Sequence, residues 1–456
     1  MKQFLNFNSL IESKQISGWG RKSFVESKFI KLESEQGIKD FIKGSYTSSL
    51  ITRGLGRSYG DAAQLKEDFI LNVNFSQSIS ISGNQLTVGG GVSIEKVLEV
   101  IVPLGYFLPV SPGSAKVTIG GAIAADVHGK NHHKDGSLGN HVSRILLIDG
   151  RGDIQELKPI QNNSGKTNNF FWATIGGMGL TGIILEATIS LIKIDTSFIK
   201  ADTFICKDLD SLLELMQSKD NEYSYSVAWV DSLHKKTRGV LTCGEHARLE
   251  DLDNITSNHL FYDSKNLGSA PNLFPNGLLN KFTVKAFNEL WFRKSSTMGN
   301  NIQTISQFFH PLDGISNWNR IYGSQGFYQY QFVVPNDKSY FISKTLDKLK
   351  KCSAYSFLTV LKRFGRISNS FLSFPQPGWT LAVDLPGSNL KLLGVLDELD
   401  NELASIGGKI YLAKDLRQKP EVFKKTYRSY QSWKSIKKEM DPNNLFKSDL
   451  SIRLNM

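Results

Sequence analysis

Three segments rich in glycine and other small residues lie within the first 190 residues of the chain, and they restrict its possible folds more than any other feature. They are 53-RGLGRSYGDAAQ-64, 111-SPGSAKVTIGGAIAADVHG-129 and 174-TIGGMGLTGIILEA-187. Where side chains are absent, the backbone can approach another group closely, and successive N–H groups in such a turn can hold anionic oxygens. One glycine-rich turn alone is usually only a turn. Three together predict a long ligand that lies extended against the backbone.

The spacing of the first segment excludes two common nucleotide-binding folds. Gly54 ends a predicted strand at 50–54, Gly56 and Gly60 come after it, and a second predicted strand follows at 68–73. A Rossmann unit needs the pattern G-x-G-x-x-G with a helix that begins at the third glycine, and a P-loop needs G-x-x-x-x-G-K-[ST]. The first segment has neither pattern, so this turn indicates neither of those two folds.

The predicted elements change in character near residue 195. Before it, glycine is frequent, and the predicted elements are strands at 50–54, 68–73, 85–91, 142–157 (a hairpin) and 181–194, with a helix at 93–104. After it, aromatic residues become denser, and helices at 208–218 and 340–351 alternate with strands such as 327–335. This second pattern predicts a separate α+β domain.

Histidines are concentrated at the end of the second glycine-rich segment, as His128, His132, His133 and His141. His128 and His132 are four residues apart, a spacing that places two metal ligands on one side of a helix. However, Gly129 lies between them and argues against a helix, and no cysteine or glutamate is near in sequence. The sequence therefore predicts no metal site here.

Four motifs in order resemble the two-part, PCMH-type FAD-binding domain of the vanillyl-alcohol-oxidase-like flavoproteins. They are 54-GLGRSYGD-61, 120-GGAIAADVHG-129, 179-GLTGII-184 and the ending 441-DPNNLFKSDLSIRL-454. Over nearly the whole chain, the sequence is further similar to the decaprenylphosphoryl-β-D-ribose 2′-oxidase family. The runs that carry this similarity are 126-DVHGKNHHKDGSLG-139, 328-YQYQFVVP-335, 377-PGWTLAVDLP-386 and 407-GGKIYLAKDLR-417.

The resemblance implies an α+β enzyme. Residues 1–195 and the C-terminal segment 411–456 would form a two-subdomain FAD-binding domain, and residues 196–410 a separate α+β substrate domain. The implied reaction is FAD-dependent oxidation of the 2′-hydroxyl of a polyprenylphosphoryl-β-D-ribose to the 2′-keto sugar. This is the first half of an epimerisation to the arabinose form, an arabinan precursor for cell-wall polysaccharide, and a short-chain reductase partner would complete it.

Two other functions remain open on the same fold. The first is an FAD-dependent oxidase of free sugars, alditols or sugar lactones. The second is a sugar-lipid binding protein that has lost turnover, which is disfavoured because Lys414 and all the cofactor loops are present.

The resemblance also implies the FAD contacts. They are Arg53, Gly54, Leu55, Gly56, Arg57, Ser58, Tyr59, Gly60, Gly113, Thr118, Ile119, Gly120, Gly121, Ala125, Asp126, Val127, His128, Gly182, Ile183 and Tyr411. Many relatives attach FAD covalently through a histidine in the first loop, where this chain has Arg57, and the second loop has no cysteine. We therefore expect FAD to be bound without a covalent bond.

Lys414 and His128 are the catalytic residues that the resemblance implies, with Lys414 neutralising a developing alkoxide or holding the substrate phosphate. The implied substrate contacts are Tyr59, Lys130, Gln329, Gln331, Lys362, Phe364, Thr380, Ala382 and Lys414. Gln329 and Gln331 alternate along a predicted strand, so both amides face one side, where sugar hydroxyls could bind. Some relatives have a cysteine at the position of Ala382, so covalent inhibitors that target that thiol should fail here.

The net charge, the cysteines and the distribution of apolar residues limit the partners and the location that we expect. The net charge is +11, but lysine and arginine are spread along the chain without a nucleic-acid-binding motif, so nucleic acid is not an expected partner. The three cysteines are isolated, which fits a reducing compartment. We expect no signal peptide and no transmembrane helix, hence a cytoplasmic or peripheral protein at the inner membrane face. The loop 269-SAPNLFPNGLLN-280 is the expected membrane contact.

Overall fold

The glycine-rich part of the chain folds into short strands with few helices. The computed structural model describes residues 10–44, 49–72, 77–159, 166–252, 258–264 and 267–456. The strands of this first part are β1 (Ile11–Ser17), β2 (Phe24–Lys31), β3 (Leu50–Thr52), β4 (Phe69–Asn72), β5 (Ile79–Ser82), β6 (Gln85–Gly89), β7 (Tyr106–Phe107), β8 (Val142–Ile148), β9 (Ile154–Leu157), β10 (Ile183–Ser190) and β11 (Ile192–Lys193). The helices are α1 (Glu35–Lys43), α2 (Ile94–Ile101), α3 (Ile119–Ala124), α4 (His132–Asp135) and α5 (Lys166–Thr174).

Two main sheets form from these strands, in the orders β1-β2-β4-β3 and β5-β6-β10-β8-β9. Strand β3 runs parallel to β4, and the segment between them contains no helix. The prediction that the first glycine loop leads into a strand and not into a Rossmann helix is therefore confirmed. Helix α2 is also confirmed, because Ile94, Val97 and Leu98 are buried at helical spacing.

The second glycine-rich segment differs from the loop that the sequence predicts, because part of it is the short helix α3. The side chain of Thr118 accepts a hydrogen bond from the N–H of Gly121 and caps this helix. Ile119, Ala122 and Ile123 are buried on its inner side. Buried apolar residues at positions 1, 4 and 5 of the helix outweigh the low helix propensity of two glycines.

The second part of the chain forms one antiparallel sheet of eight strands in the order β15-β12-β14-β13-β17-β18-β16-β19. The strands are β12 (Phe198–Cys206), β13 (Tyr225–Val230), β14 (Gly239–His246), β15 (Asn300–Thr304), β16 (Phe327–Val334), β17 (Thr359–Phe364), β18 (Gly378–Pro386) and β19 (Lys409–Ile410). The helices are α6 (Leu209–Lys219), α7 (Lys281–Ser296), α8 (Ile305–Phe309), α9 (Tyr340–Lys351) and α10 (Leu392–Ser405). Helices α6, α9 and α10 pack on one face of the sheet and form an apolar core with it.

The C-terminal segment returns to the first part of the chain as α11 (Pro420–Thr426), α12 (Tyr430–Met440) and α13 (Asp449–Arg453). The buried carboxylate of Asp441 accepts hydrogen bonds from the N–H groups of Leu445 and Phe446, and Phe446 pairs with Leu50 beside β3. These bonds give the D-P-x-x-x-F ending a structural role. The large sheet begins at Phe198 and ends at Ile410, so the predicted division at residues 195 and 410 agrees with the sheet boundaries and stays a proposal.

The predicted α+β class is confirmed, since both helices and sheets are present throughout. Within the described ranges, no helix combines the length and the apolar character needed to cross a lipid bilayer.

Candidate active site

A cavity of about 680 Å³ lies between the glycine-rich loops and the face of the eight-stranded sheet that α6, α9 and α10 leave uncovered. Most of the predicted site residues line it. They are Arg53, Gly54, Leu55, Gly56, Arg57, Ser58, Tyr59, Gly113, Thr118, Gly120, Gly121, Ala125, Val127, His128, Lys130, Gly182, Gln329, Gln331, Lys362, Thr380, Ala382, Tyr411 and Lys414. Residues that are far apart in the sequence therefore form one site.

The first glycine loop presents unused hydrogen-bond donors to this cavity. Within the described part of the chain, the backbone N–H groups of residues 54–58 make no hydrogen bond. The hydroxyl of Thr52, which also lines the cavity, is buried without a partner. Because buried donors are normally satisfied, such a row of free N–H groups is suited to the oxygens of a pyrophosphate.

Some of the small residues are required by the protein itself. A Cβ atom on Gly60 would lie 1.8 Å from the carbonyl oxygen of Asp415, and one on Gly182 would lie 2.4 Å from that of Ile148. By contrast, a Cβ on Gly113 would meet no atom within 4 Å. Gly113 is thus the clearest case of a glycine that leaves room for a ligand.

Five predicted contact residues do not line the cavity, namely Gly60, Ile119, Asp126, Ile183 and Phe364. The side chains of Ile119 and Ile183 are in the apolar core. The buried carboxylate of Asp126 accepts hydrogen bonds from the hydroxyls of Ser137 and Ser373 and from the N–H of Gly139. We propose supporting roles for these residues, because each contacts other protein groups and none lines the cavity.

His128 lies at the centre of the cavity wall. Its Nε2 is 3.0 Å from the amide nitrogen of Gln331, and its ring packs on Phe364 with a centroid distance of 4.7 Å. Burial, reinforced by the charge of Lys362, holds the pKa of His128 well below its usual range. His128 is therefore neutral near pH 7, so its Nε2 accepts from Gln331. Phe364 fixes the ring from behind.

Three of the lysines that line the cavity, Lys130, Lys362 and Lys414, have low pKa values because they are buried. Burial lowers the pKa of Lys130 and of Lys414 to about 7 and that of Lys362 to about 8. The charge of Lys362 contributes to the shifts of the other two. Among the described residues, none of the three has a carboxylate oxygen within 4.0 Å of its Nζ. In their protonated form, lysines without carboxylate partners suit an anionic ligand.

Lys414 is held by an aromatic ring and a more distant carboxylate. Its Nζ lies 3.5 Å from the ring centroid of Tyr59, a cation–π contact. The carboxylate of Asp384 raises the pKa of Lys414, although burial outweighs it. Lys414 can therefore carry or lose its proton near pH 7, which suits a group that stabilises charge during a reaction.

Sequence analysis missed Asp384, which is fully buried beneath the cavity. Its carboxylate accepts hydrogen bonds from the amide of Gln329 (2.5 Å) and the hydroxyl of Tyr322 (3.3 Å). Burial raises the pKa of Asp384 to about 7. The available signal was a single acidic residue within the otherwise uncharged run 378-GWTLAVDLP-386.

The remaining histidines of the cluster have separate partners. The Nδ1 of His132 accepts from the N–H of Gly365, and the Nε2 of His133 and of His141 bind the carbonyl oxygens of Tyr223 and Asp135. In the described ranges, no three His, Cys, Asp or Glu side chains come together as a metal site.

Comparisons with known proteins identify the family. Residues 27–158 match the FAD binding domain family. A decaprenylphosphoryl-beta-D-ribose oxidase from Mycolicibacterium smegmatis is 38% identical over 455 residues, which are 97% of this chain and 98% of that relative. The chain belongs to the decaprenylphosphoryl-β-D-ribose oxidase family. It is an FAD-dependent oxidoreductase. Membership of this family and the FAD cofactor, both expected from the sequence, are therefore confirmed.

Other relatives are more distant. An uncharacterised protein from Streptomyces coelicolor is 30% identical over 377 residues, which are 80% of this chain and all of that relative. A D-arabinono-1,4-lactone oxidase from Kluyveromyces lactis is 22% identical over 151 residues, which are 32% of this chain and 27% of that relative. Similarity to a lactone oxidase thus covers only a third of the chain.

The site fits FAD, because free N–H groups, Thr52 and an open wall at Gly113 face the cavity. The guanidinium of Arg57, expected from the sequence where many relatives have a covalent histidine, stacks 4.0 Å from the ring centroid of Trp19, and its Nε donates to the carbonyl of Lys116. We predict that acid precipitation releases all the flavin into the supernatant, because an arginine forms no bond to the isoalloxazine. Yellow colour retained in the washed pellet would contradict non-covalent binding.

Proposed function

We propose that the protein oxidises the 2′-hydroxyl of a polyprenylphosphoryl-β-D-ribose to the 2′-keto sugar, the first half of an epimerisation to the arabinose form. The observation that carries this proposal is the set of lysines Lys130, Lys362 and Lys414, which have no carboxylate within 4.0 Å among the described residues and line the same cavity as the amides of Gln329 and Gln331. Lysines suit the phosphate oxygens, and amides suit the sugar hydroxyls. The name of the Mycolicibacterium relative supports the same substrate.

Each side chain has a definable role in this reaction. FAD, when bound, supplies the acceptor for the hydride from the carbinol carbon. Lys414 stabilises negative charge on the hydroxyl oxygen as its proton passes to water, and neutral His128 positions the sugar through its contact with Gln331. Lys130 and Lys362 hold the phosphate, and Thr380 and Ala382 form the floor beneath the sugar. Thr380 is itself held by a hydrogen bond to the carbonyl of Phe332.

The alternative is oxidation of free sugars, alditols or sugar lactones, and a substrate panel separates the two. We expect a prenylphosphoryl ribose to have a far higher kcat/KM than ribose, an alditol or a sugar lactone, because the uncharged compounds leave the lysines without an anion. Comparable kcat/KM with an uncharged substrate would contradict the lipid-linked substrate and favour an oxidase of free sugars, alditols or sugar lactones.

Asp384 should set the pH dependence through Lys414. If cationic Lys414 is the active form, kcat/KM falls as pH rises through the pKa of Lys414, which is about 7 in the free enzyme. The Asp384 carboxylate favours that cation, so Asp384→Asn lowers the pKa of Lys414 and moves the falling limb to lower pH. The pH profile of kcat/KM for both proteins measures the shift. An unmoved limb would mean that Asp384 has only a structural role.

We also propose peripheral contact with the inner membrane face through the segment 269–280. Leu273 in this segment is 89% exposed, and the neighbouring Leu267 is 81% exposed, while Phe274, Leu278 and Leu279 are half-buried. Together with the net charge of +11, these side chains suit an anionic lipid surface. Sedimentation of the protein with anionic vesicles at low salt tests this contact. A protein that stays in the supernatant would contradict it.

A short-chain reductase is the proposed partner, because a keto sugar requires a hydride donor to become the arabinose form. A coupled assay with a nicotinamide-dependent reductase should yield the arabinose form only when both enzymes are present. Formation of that product by this protein alone would contradict the need for a partner.

A further inference from the structure

We propose that the half of the cavity beneath helix α7 binds the first isoprene units of a polyprenyl chain. The inference rests on the proposed function and adds to it a second, apolar binding site within the same cavity. It follows from how the chemistry of the cavity floor changes across the large sheet.

The floor of the cavity is a row of side chains that crosses five neighbouring strands. Gln331 pairs with Ala382, Ala382 with Val360, Val360 with Trp229, and Trp229 with Val240. All five residues line the cavity. Because neighbouring strands lie about 4.8 Å apart, the row extends over roughly 19 Å.

The character of this row changes from polar to apolar along its length. It begins at Gln331, which contacts His128, and Lys362 lines the cavity from β17. It ends at Trp229 and Val240, and the indole N–H of Trp229 already donates to the carbonyl of Phe357. Only the apolar ring of Trp229 therefore remains for a ligand.

Helix α7 covers this apolar end. Phe287, Trp291 and Ser295 recur at intervals of four, so they share one face of the helix, and all three line the cavity. No cavity-lining residue from α7, β12, β13 or β14 carries a charge, as far as the described ranges extend. Three hydroxyl side chains line this half, but among the described residues of these elements none offers a cation to a phosphate, whereas the rings of Trp229, Phe287 and Trp291 suit a hydrocarbon chain.

The opening of this half is consistent with a chain that continues outward. Phe287 and Trp291 are 43% and 37% exposed, so the cavity reaches the surface at the helix. Phe282 on the same helix is 83% exposed. A lipid bound through its phosphate at the lysines would thus leave along a continuous apolar path.

The test compares two substrates that share the ribose and the phosphodiester, namely farnesylphosphoryl-β-D-ribose and methylphosphoryl-β-D-ribose. We expect Trp291→Ser to raise KM for the farnesyl substrate by roughly tenfold or more, because a large apolar contact is lost. KM for the methyl substrate should stay within about twofold, because its methyl group is too short to reach helix α7.

Leu290→Ser is the matched control, because it removes an exposed apolar side chain from the same helix without touching the cavity. It should leave both KM values unchanged in detergent-free solution. If the wild-type enzyme uses both substrates equally well and Trp291→Ser changes neither, the apolar site is wrong while the proposed function stands. If neither substrate is oxidised, the proposed function itself fails.

Discussion

Lys414→Met should reduce the rate of anaerobic flavin reduction by about 10²- to 10⁴-fold, the usual contribution of a positioned proton-transfer or charge-stabilising group. Lys414 is placed for this role by the ring of Tyr59, at 3.5 Å from its centroid, and by the nearby charge of Asp384. Methionine keeps the length of the stem and removes the charge. Stopped-flow absorbance of the flavin band measures the rate, and the spectrum before mixing reports the FAD content.

Lys409→Met is the matched control for this variant. Lys409 lies five residues earlier, is also half-buried, and donates to the carbonyl of Ser373 without lining the cavity. It should keep the rate within about twofold. A Lys414→Met enzyme that retains FAD and reduces it at the wild-type rate would show that Lys414 has no part in the reaction.

Lys362→Met should act on substrate binding and raise KM for a prenylphosphoryl ribose by roughly 10- to 150-fold. This range corresponds to about 1.5–3 kcal/mol for a hydrogen bond to a charged group. Lys362 has no carboxylate within 4.0 Å in the described chain, so its charge is free for the phosphate. Because this proposed role is in binding the phosphate, kcat should change much less than KM.

Two comparisons separate the charge of Lys362 from its packing. Lys362→Arg keeps the cation and should recover part of the affinity. The rate with free ribose, however slow, should be the same in Lys362→Met and wild type, because ribose has no phosphate. An equal loss with ribose would mean that the substitution disturbs the cavity and that Lys362 is not a phosphate ligand.

The sequence allowed some elements to be predicted because local patterns determine them. Helix α2 follows from apolar residues at helical spacing, and the strand with Gln329 and Gln331 follows from alternation. The family motifs then connect segments that are hundreds of residues apart, and those segments meet at the cavity.

Other features could not be predicted, because they depend on contacts that are distant in sequence. The sequence does not distinguish Gly60 from Gly113. In the structure, the backbone of Asp415 leaves no room for a side chain at Gly60, whereas Gly113 faces open space. The importance of Asp384 depends on Tyr322, which is 62 residues away and lies outside any regular strand or α-helix. Sequence shows that such a residue is present but not what it contacts.

The most direct test of the proposed function is anaerobic flavin reduction with farnesylphosphoryl-β-D-ribose that carries deuterium at C2′. We expect the flavin band to bleach and deuterium at C2′ to slow the bleaching several-fold, whereas deuterium at C3′ should have no such effect. Bleaching at equal rates with and without the C2′ label, or bleaching by free polyols but not by this substrate, would contradict oxidation at the 2′ position of a lipid-linked ribose.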